Sequence, residues 1–191
     1  MDVHKIGIKI FAEQNNSIDL PELIPVFHHW IQNELLDNLL IDVADYSHVQ
    51  SGPGVVLVAH EGNYAFDETD NRRGMVYYSK QDMDGNFQDR LVTVCHHVLR
   101  ACQLLQDDEK TRDQIKFQGS SIQVFSNDRL MAPNTDETFS LLEGELKKFL
   151  DRLYPGTEYD LTRETDPKER FKVNVTVNEA VQIDTLLERI G

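Results

Sequence analysis

Ile6, Ile8 and Ile10 alternate with Gly7, Lys9 and Phe11. That two-residue period predicts a half-buried strand over residues 5–13. Asp19, with Glu22 three positions on, reads as a capping box, and Pro25 delays regular helix to about its own position. Phe27, Trp30, Ile31, Leu35 and Leu36 then give an apolar stripe at helical spacing. Residues 39–49 predict a second strand, Ser51-Gly52-Pro53-Gly54 a turn, and residues 55–60 a short β-branched strand. Gly62 bends or ends it. A polar excursion over residues 67–73 leads to a fourth strand at residues 74–79. The clearest helix covers residues 86–107, with Leu91, Val94, Cys95, Val98, Cys102 and Leu105 on one face and Arg90, His97 and Arg100 toward the other side. Residues 107–113 form a solvated, charged link.

The second half begins near Ile115. It reads as a strand at 121–125, a helix capped by Asn134 and Glu137 that stops at Pro155-Gly156, an extended stretch at 157–162, an alternating strand through Phe171, Val173, Val175 and Val177, and an amphipathic helix at 180–190. The order strand, helix, strand, strand, helix thus occurs in both halves, with one extra strand in the first. Ile8-Lys9-Ile10-Phe11 and Ile122-Gln123-Val124-Phe125 share a pattern at corresponding places. The expected fold class is therefore α+β: a ferredoxin-like antiparallel sheet with helices on one face, built from tandem β-α-β-β-α units over residues 1–113 and 114–191 that join in one domain. Helices on a single face leave the other face to be covered. A homodimer packed through the sheet is the expectation that follows.

Composition narrows the function. The 191 residues carry 33 acidic against 19 basic side chains, a net charge of −14, and 40% are hydrophobic. A core can form, while a surface this negative repels nucleic-acid backbones and anionic lipid. Arg72-Arg73 and Lys147-Lys148 are the only adjacent basic pairs. No apolar run reaches the roughly 20 residues of a membrane span, and the start Met1-Asp2-Val3-His4-Lys5 lacks a signal-peptide pattern. Cys95 and Cys102, two turns apart on one helix face, lie roughly 10 Å from each other and cannot pair. They read as buried thiols in a reducing, cytoplasmic setting.

The densest polar stretch is His60-Glu61-Gly62-Asn63-Tyr64, followed by Asp67, Asp70, Arg72 and Arg73. His60 alternates with Val56 and Val58. With Glu61 it offers general acid–base chemistry, and Arg73 offers a planar fork for a carboxylate. The His-Glu-x-x-His metal motif fails at Tyr64, and a calcium loop fails at Arg72 and Tyr78. The adjacent pairs His28-His29 and His96-His97 diverge by about 100° on a helix, so spacing alone yields no metal set. Tyr46 and His48 on the second strand, His60 on the third and Tyr77 on the fourth would floor one recess if the strands share a face. Tyr46, His48, His60, Arg73 and Tyr77 are the expected ligand-binding set, and His60 with Glu61 the catalytic candidates. No Gly-rich phosphate loop, nucleophile elbow or Cys-x-x-Cys occurs. The sequence thus points to a soluble protein that binds a small ligand or regulates, and self-associates. An enzyme using His60, nearby carboxylates and Arg73, with or without a metal, and an interaction module without a ligand site are the alternatives.

Overall fold

All seven residues of strand β1 (Ile6–Ala12) are buried, Lys9 included. A strand covered on one face only would expose every second residue, so both faces of β1 are covered. Helix α2 (Phe87–Asp107) covers one face, and the Phe125 ring over Gly7 and the Arg72 guanidinium over Phe11 cover the other. In the computed structural model, which describes residues 2–191, β1 lies inside a single eight-stranded sheet, flanked by β5 and β6.

In chain order the elements are β1, α1 (Leu23–Gln32), β2 (Leu40–Tyr46), β3 (Gly54–Ala59), β4 (Gly62–Asp67), β5 (Gly74–Ser79), α2 (Phe87–Asp107), β6 (Phe117–Ser126), α3 (Asp136–Leu153), β7 (Tyr159–Arg163), β8 (Lys172–Val177) and α4 (Ile183–Ile190). The sheet order is β2-β3-β4-β5-β1-β6-β8-β7, and every neighbouring pair is antiparallel. The fold class is α+β, with four α-helices among the described residues. Strand β4 is the element that the sequence reading lacks. Tyr64 and Phe66 alternate there, but the polar run before them reads as a loop.

Register sorts the side chains into two faces. Ile8, Tyr77, Tyr64 and Leu57 form one cross-strand row, and Ile10, Met75, Phe66 and Val55 the next. Both rows belong to the large core shared with the helices. Helix α2 packs on β1 and β5, α1 on β2 and β3, α4 on β6, and α3 on α2 and α4. Each large aliphatic side chain enclosed there contributes roughly 1.5–3 kcal/mol relative to exposure. The other rows, Lys9–Val76–Ala65–Val56 and Phe125–Gly7–Tyr78–Asn63–Val58, lie on the opposite face, where Val56, Ala65, Val76 and Phe125 form a small second cluster.

Several ends differ in detail from the sequence reading. Asp19 makes no side-chain cap; a 3-10 turn, Leu20–Glu22, leads into α1, and Pro25 sits in the first turn, where its missing N–H costs nothing. Asn86 and Asp89 close the capping box of α2. Thr135, not Asn134, caps α3, accepting from the Thr138 N–H at 3.2 Å. Asn134 instead joins Arg163 to the Asp166 carbonyl. Arg90 points inward, not outward: it is 7% exposed and donates to the Asp2 carboxylate and the Val3 carbonyl. Gly54 opens β3 at φ 64°, and a Cβ there would stand 2.1 Å from the Phe66 carbonyl oxygen, so only glycine fits this turn. Among the described residues no helix is long and apolar enough to cross a membrane.

Candidate functional site

The five expected ligand-binding residues do not converge. Tyr46 ends β2 opposite Gly54, half-exposed, on the helix-free face. Tyr77 is 2% exposed on the helix face, in the main core. His48 is exposed in the turn beyond β2, and His60 is exposed in the β3–β4 turn, at the opposite end of the strands. Inserting β4 between β3 and β5 undoes the pairing that the common-recess expectation assumed. Arg73 is a structural clip: it donates to Glu68 at 2.7 Å, to Asn16 at 3.2 Å and to the Ile18 carbonyl at 2.7 Å. His60, Glu61 and Arg73 therefore assemble no acid–base site. Glu61 is half of a different arrangement, accepting from the Leu39 N–H at 3.1 Å.

Two constellations do assemble. The first occupies the helix-free face. Gly7 lies between Tyr78 and Phe125 in register, and a Cβ there would fall 2.1 Å from the Phe125 ring, so the missing side chain lets that ring lie across the strand. The Arg170 guanidinium stacks on Phe125 at 3.6 Å from the ring centroid, an arrangement that favours a planar cation. Arg170 spends Nη1 on Asn127 at 2.9 Å. Its remaining nitrogens have no partner among the described residues. Lys172, next to Phe125 in register, reaches Asp70 at 2.9 Å and Glu169 at 3.3 Å. Burial opposes the charged form of Lys172, but hydrogen bonding to Asp70 and the charge of that carboxylate outweigh it, so its pKa rises. Lys9 pairs with Asp67 and also donates to the Thr69 carbonyl at 3.3 Å. These contacts fold the β4–β5 loop down over the sheet, with Asp70 and Asn71 at φ 62° and 55°. Between this loop and the segment before β8 lies a recess of about 480 Å³, bordered by Tyr78, Phe125, Arg129, Arg170 and Lys172, and by the carboxylates of Asp67 and Glu169, which pair with Lys9 and Lys172. Tyr78 accepts from Asn63 at 2.9 Å, which leaves its own hydroxyl proton free to donate.

The second constellation lies on the helix side, where α2 meets the α1–β2 loop. Tyr64 donates to Asn38 Oδ1, and Asn38 Nδ2 donates to Tyr77 at 3.5 Å. The Tyr64 oxygen is 3.3 Å from His97 Nδ1, and the His97 ring packs 4.6 Å from that of Tyr77. Burial, followed by the neighbouring His96 charge, pushes His97 down to about 4 against the opposing pull of Asp37 and Glu61. Burial also pushes Tyr64 well up, and Tyr77 up to about 12. His97 thus stands inward, not on the outer surface that the helical pattern suggested. Asp37, His96 and His97 bring one ligating atom each to within 4.8 Å of one another. The adjacent histidines need no i, i+4 spacing because the third group comes from another segment.

Neither constellation was singled out from sequence, although a signal existed for each. Lys9 interrupts an otherwise apolar strand, and Lys172 opens one. His97 stands three after Val94 and four before Ala101, both fully buried, which places it at the margin of the apolar stripe. No family model, curated relative or solved structure matches this chain.

Proposed function

We propose that the protein binds a small organic anion with a planar body in the recess on its helix-free face. The observation that carries this reading is Arg170, spread over Phe125 with most of its guanidinium unspent, beside Lys172 and Tyr78 in a chain of net charge −14. A carboxylate or phosphate suits the fork, a flat body suits the stacking surface, and the Tyr78 hydroxyl supplies a third contact. Titration calorimetry with benzoate and phenyl phosphate tests it, one probe for each anion. Arg170→Ala should weaken binding at least about tenfold, in line with a charged hydrogen bond of about 1.5–3 kcal/mol, and Arg170→Lys should not restore it. Binding that survives Arg170→Ala would refute the site. Failure of both probes would leave the interaction-module reading.

Self-association belongs to the same proposal, through an edge strand in place of stacked sheets. The helix-free face is already covered in part by the chain's own loops. Edge strand β2 carries the exposed Ile41 and Tyr46 and is flanked by the exposed Leu39 and Val49, apolar side chains beside free edge hydrogen-bonding groups. Light scattering on wild type and Ile41→Lys tests this; a monomeric wild type defeats it. A tandem origin from ferredoxin-like β-α-β-β-α units fits the way β1 pairs with β5 and β6 with β8, each the last strand of its own half. A reducing, cytoplasmic setting fits the two buried free thiols.

A further inference from the structure

We propose that Asp37, His96 and His97 bind a divalent transition-metal ion of the zinc class, at a site separate from the anion recess and on the other face of the sheet. Two imidazoles and one carboxylate are a donor set that suits zinc, iron or nickel and is too rich in nitrogen for magnesium or calcium. Their ligating atoms already stand within 4.8 Å of one another, while tetrahedral ligands about 2.0–2.1 Å from a metal are separated by a little over 3 Å, so small side-chain rotations close the set.

The surroundings prepare the site. Tyr64 spends its proton on Asn38, so the phenol oxygen 3.3 Å from His97 Nδ1 can only accept. Nδ1 then carries the ring hydrogen and Nε2 keeps the lone pair, the tautomer setting that ligating histidines receive from an outer hydrogen bond. The loop that brings Asp37 is itself fixed. Glu34, at φ 51°, turns the chain out of α1, and Glu61 holds Leu39. Asp37 and Glu61 also border an open recess of about 490 Å³. Three protein ligands leave a fourth coordination position for water or a ligand atom.

The test uses the full chain, freed of metal by chelation and dialysis, and titrated with zinc in a calorimeter. Cobalt serves as a spectroscopic probe of coordination by nitrogen. Asp37 is exposed and His96 half-buried, so Asp37→Ala and His96→Ala should leave the metal-free melting temperature nearly unchanged. Each should weaken zinc binding at least about tenfold. His29→Ala, at an exposed histidine elsewhere, should leave it intact. One equivalent of zinc lost in both site variants and kept in His29→Ala supports the site. No binding by the wild type at about millimolar zinc, or equal binding by wild type and both site variants, overturns it.

Discussion

Removing Asp67 should destabilise the protein far more than removing Asp67 and Lys9 together. The side chains of this pair are 3% and 9% exposed, so the pair is effectively buried. In Asp67→Ala the Lys9 ammonium keeps one hydrogen-bond partner, the Thr69 carbonyl at 3.3 Å, with the Phe11 ring 5.4 Å away and the Asp70 charge as its remaining weaker contacts. An uncompensated buried charge of this kind costs about 3–5 kcal/mol, whereas an apolar replacement of both partners is neutral or stabilising. For a chain of this length that is a melting-temperature drop of roughly 6–20 °C for Asp67→Ala, and little change for Lys9→Met/Asp67→Leu. The pH dependence gives an independent check. Burial lowers the pKa of Lys9, and the charge and hydrogen bond of Asp67 oppose that lowering. Between its folded value and the higher unfolded one, the unfolded chain holds the extra proton, so stability rises with pH across that window. Without Asp67 the folded value falls further and the window widens downward. The deficit of Asp67→Ala at about pH 7 should therefore shrink at about pH 9.5. Urea unfolding of wild type, both single variants and the double variant at the two pH values measures all of this. A loss under about 1 kcal/mol for Asp67→Ala, or a double variant no better than the singles, would refute the reasoning.

Two further outcomes follow from backbone and burial. Gly54→Ala should cost at least about 2 kcal/mol, because a Cβ meets the Phe66 carbonyl and the left-handed turn strains alanine. Gly144→Ala, in open space on α3, should instead gain about 0.5–1 kcal/mol; thermal melts in parallel separate the two, and equal effects would sink the turn argument. Cys95 and Cys102 are fully buried, and burial pushes both thiols up, so a disulfide reagent should modify them only at the rate of unfolding; prompt labelling of the native protein would contradict the core placement.

Periodicity located most elements, although β1 is buried on both faces and not on one as its period implied. Ile6, Ile8 and Ile10 mark β1, the stripe from Leu91 to Leu105 marks α2, and the second-half order strand, helix, strand, strand, helix matches β6, α3, β7, β8 and α4. What failed is the identification of one strand and, with it, of neighbours. Gly62 and Asn63 look like a turn, yet they begin β4, and the extra strand separates β3 from β5. A site argued from adjacency of strands is lost with one insertion, and register sets Tyr46, opposite Gly54, and Tyr77, opposite Tyr64, on opposite faces. The recess itself depends on contacts between residues as distant in sequence as Asp70 and Lys172, and on Phe125 lying across Gly7. Pattern carries no information about such pairs. Arg90 and His97 show a subtler limit: polar side chains at the margin of a helix's apolar stripe are drawn inside when a partner from another segment, here Asp2 or Tyr64, meets them.

The position of β1 has a consequence for how the protein is made. This strand is synthesised before both of its neighbours, β5 and β6, whose paired residues lie near Tyr78 and Phe125. At a synthesis rate of about 5–20 residues per second, the Ile-Gly-Ile-Lys-Ile-Phe segment waits on the order of ten seconds before both edges are paired. Until then at least one of its edges is open to pairing with another chain. Holding chaperones that capture short apolar stretches should therefore raise the yield of native protein during translation more than they assist refolding of the finished chain.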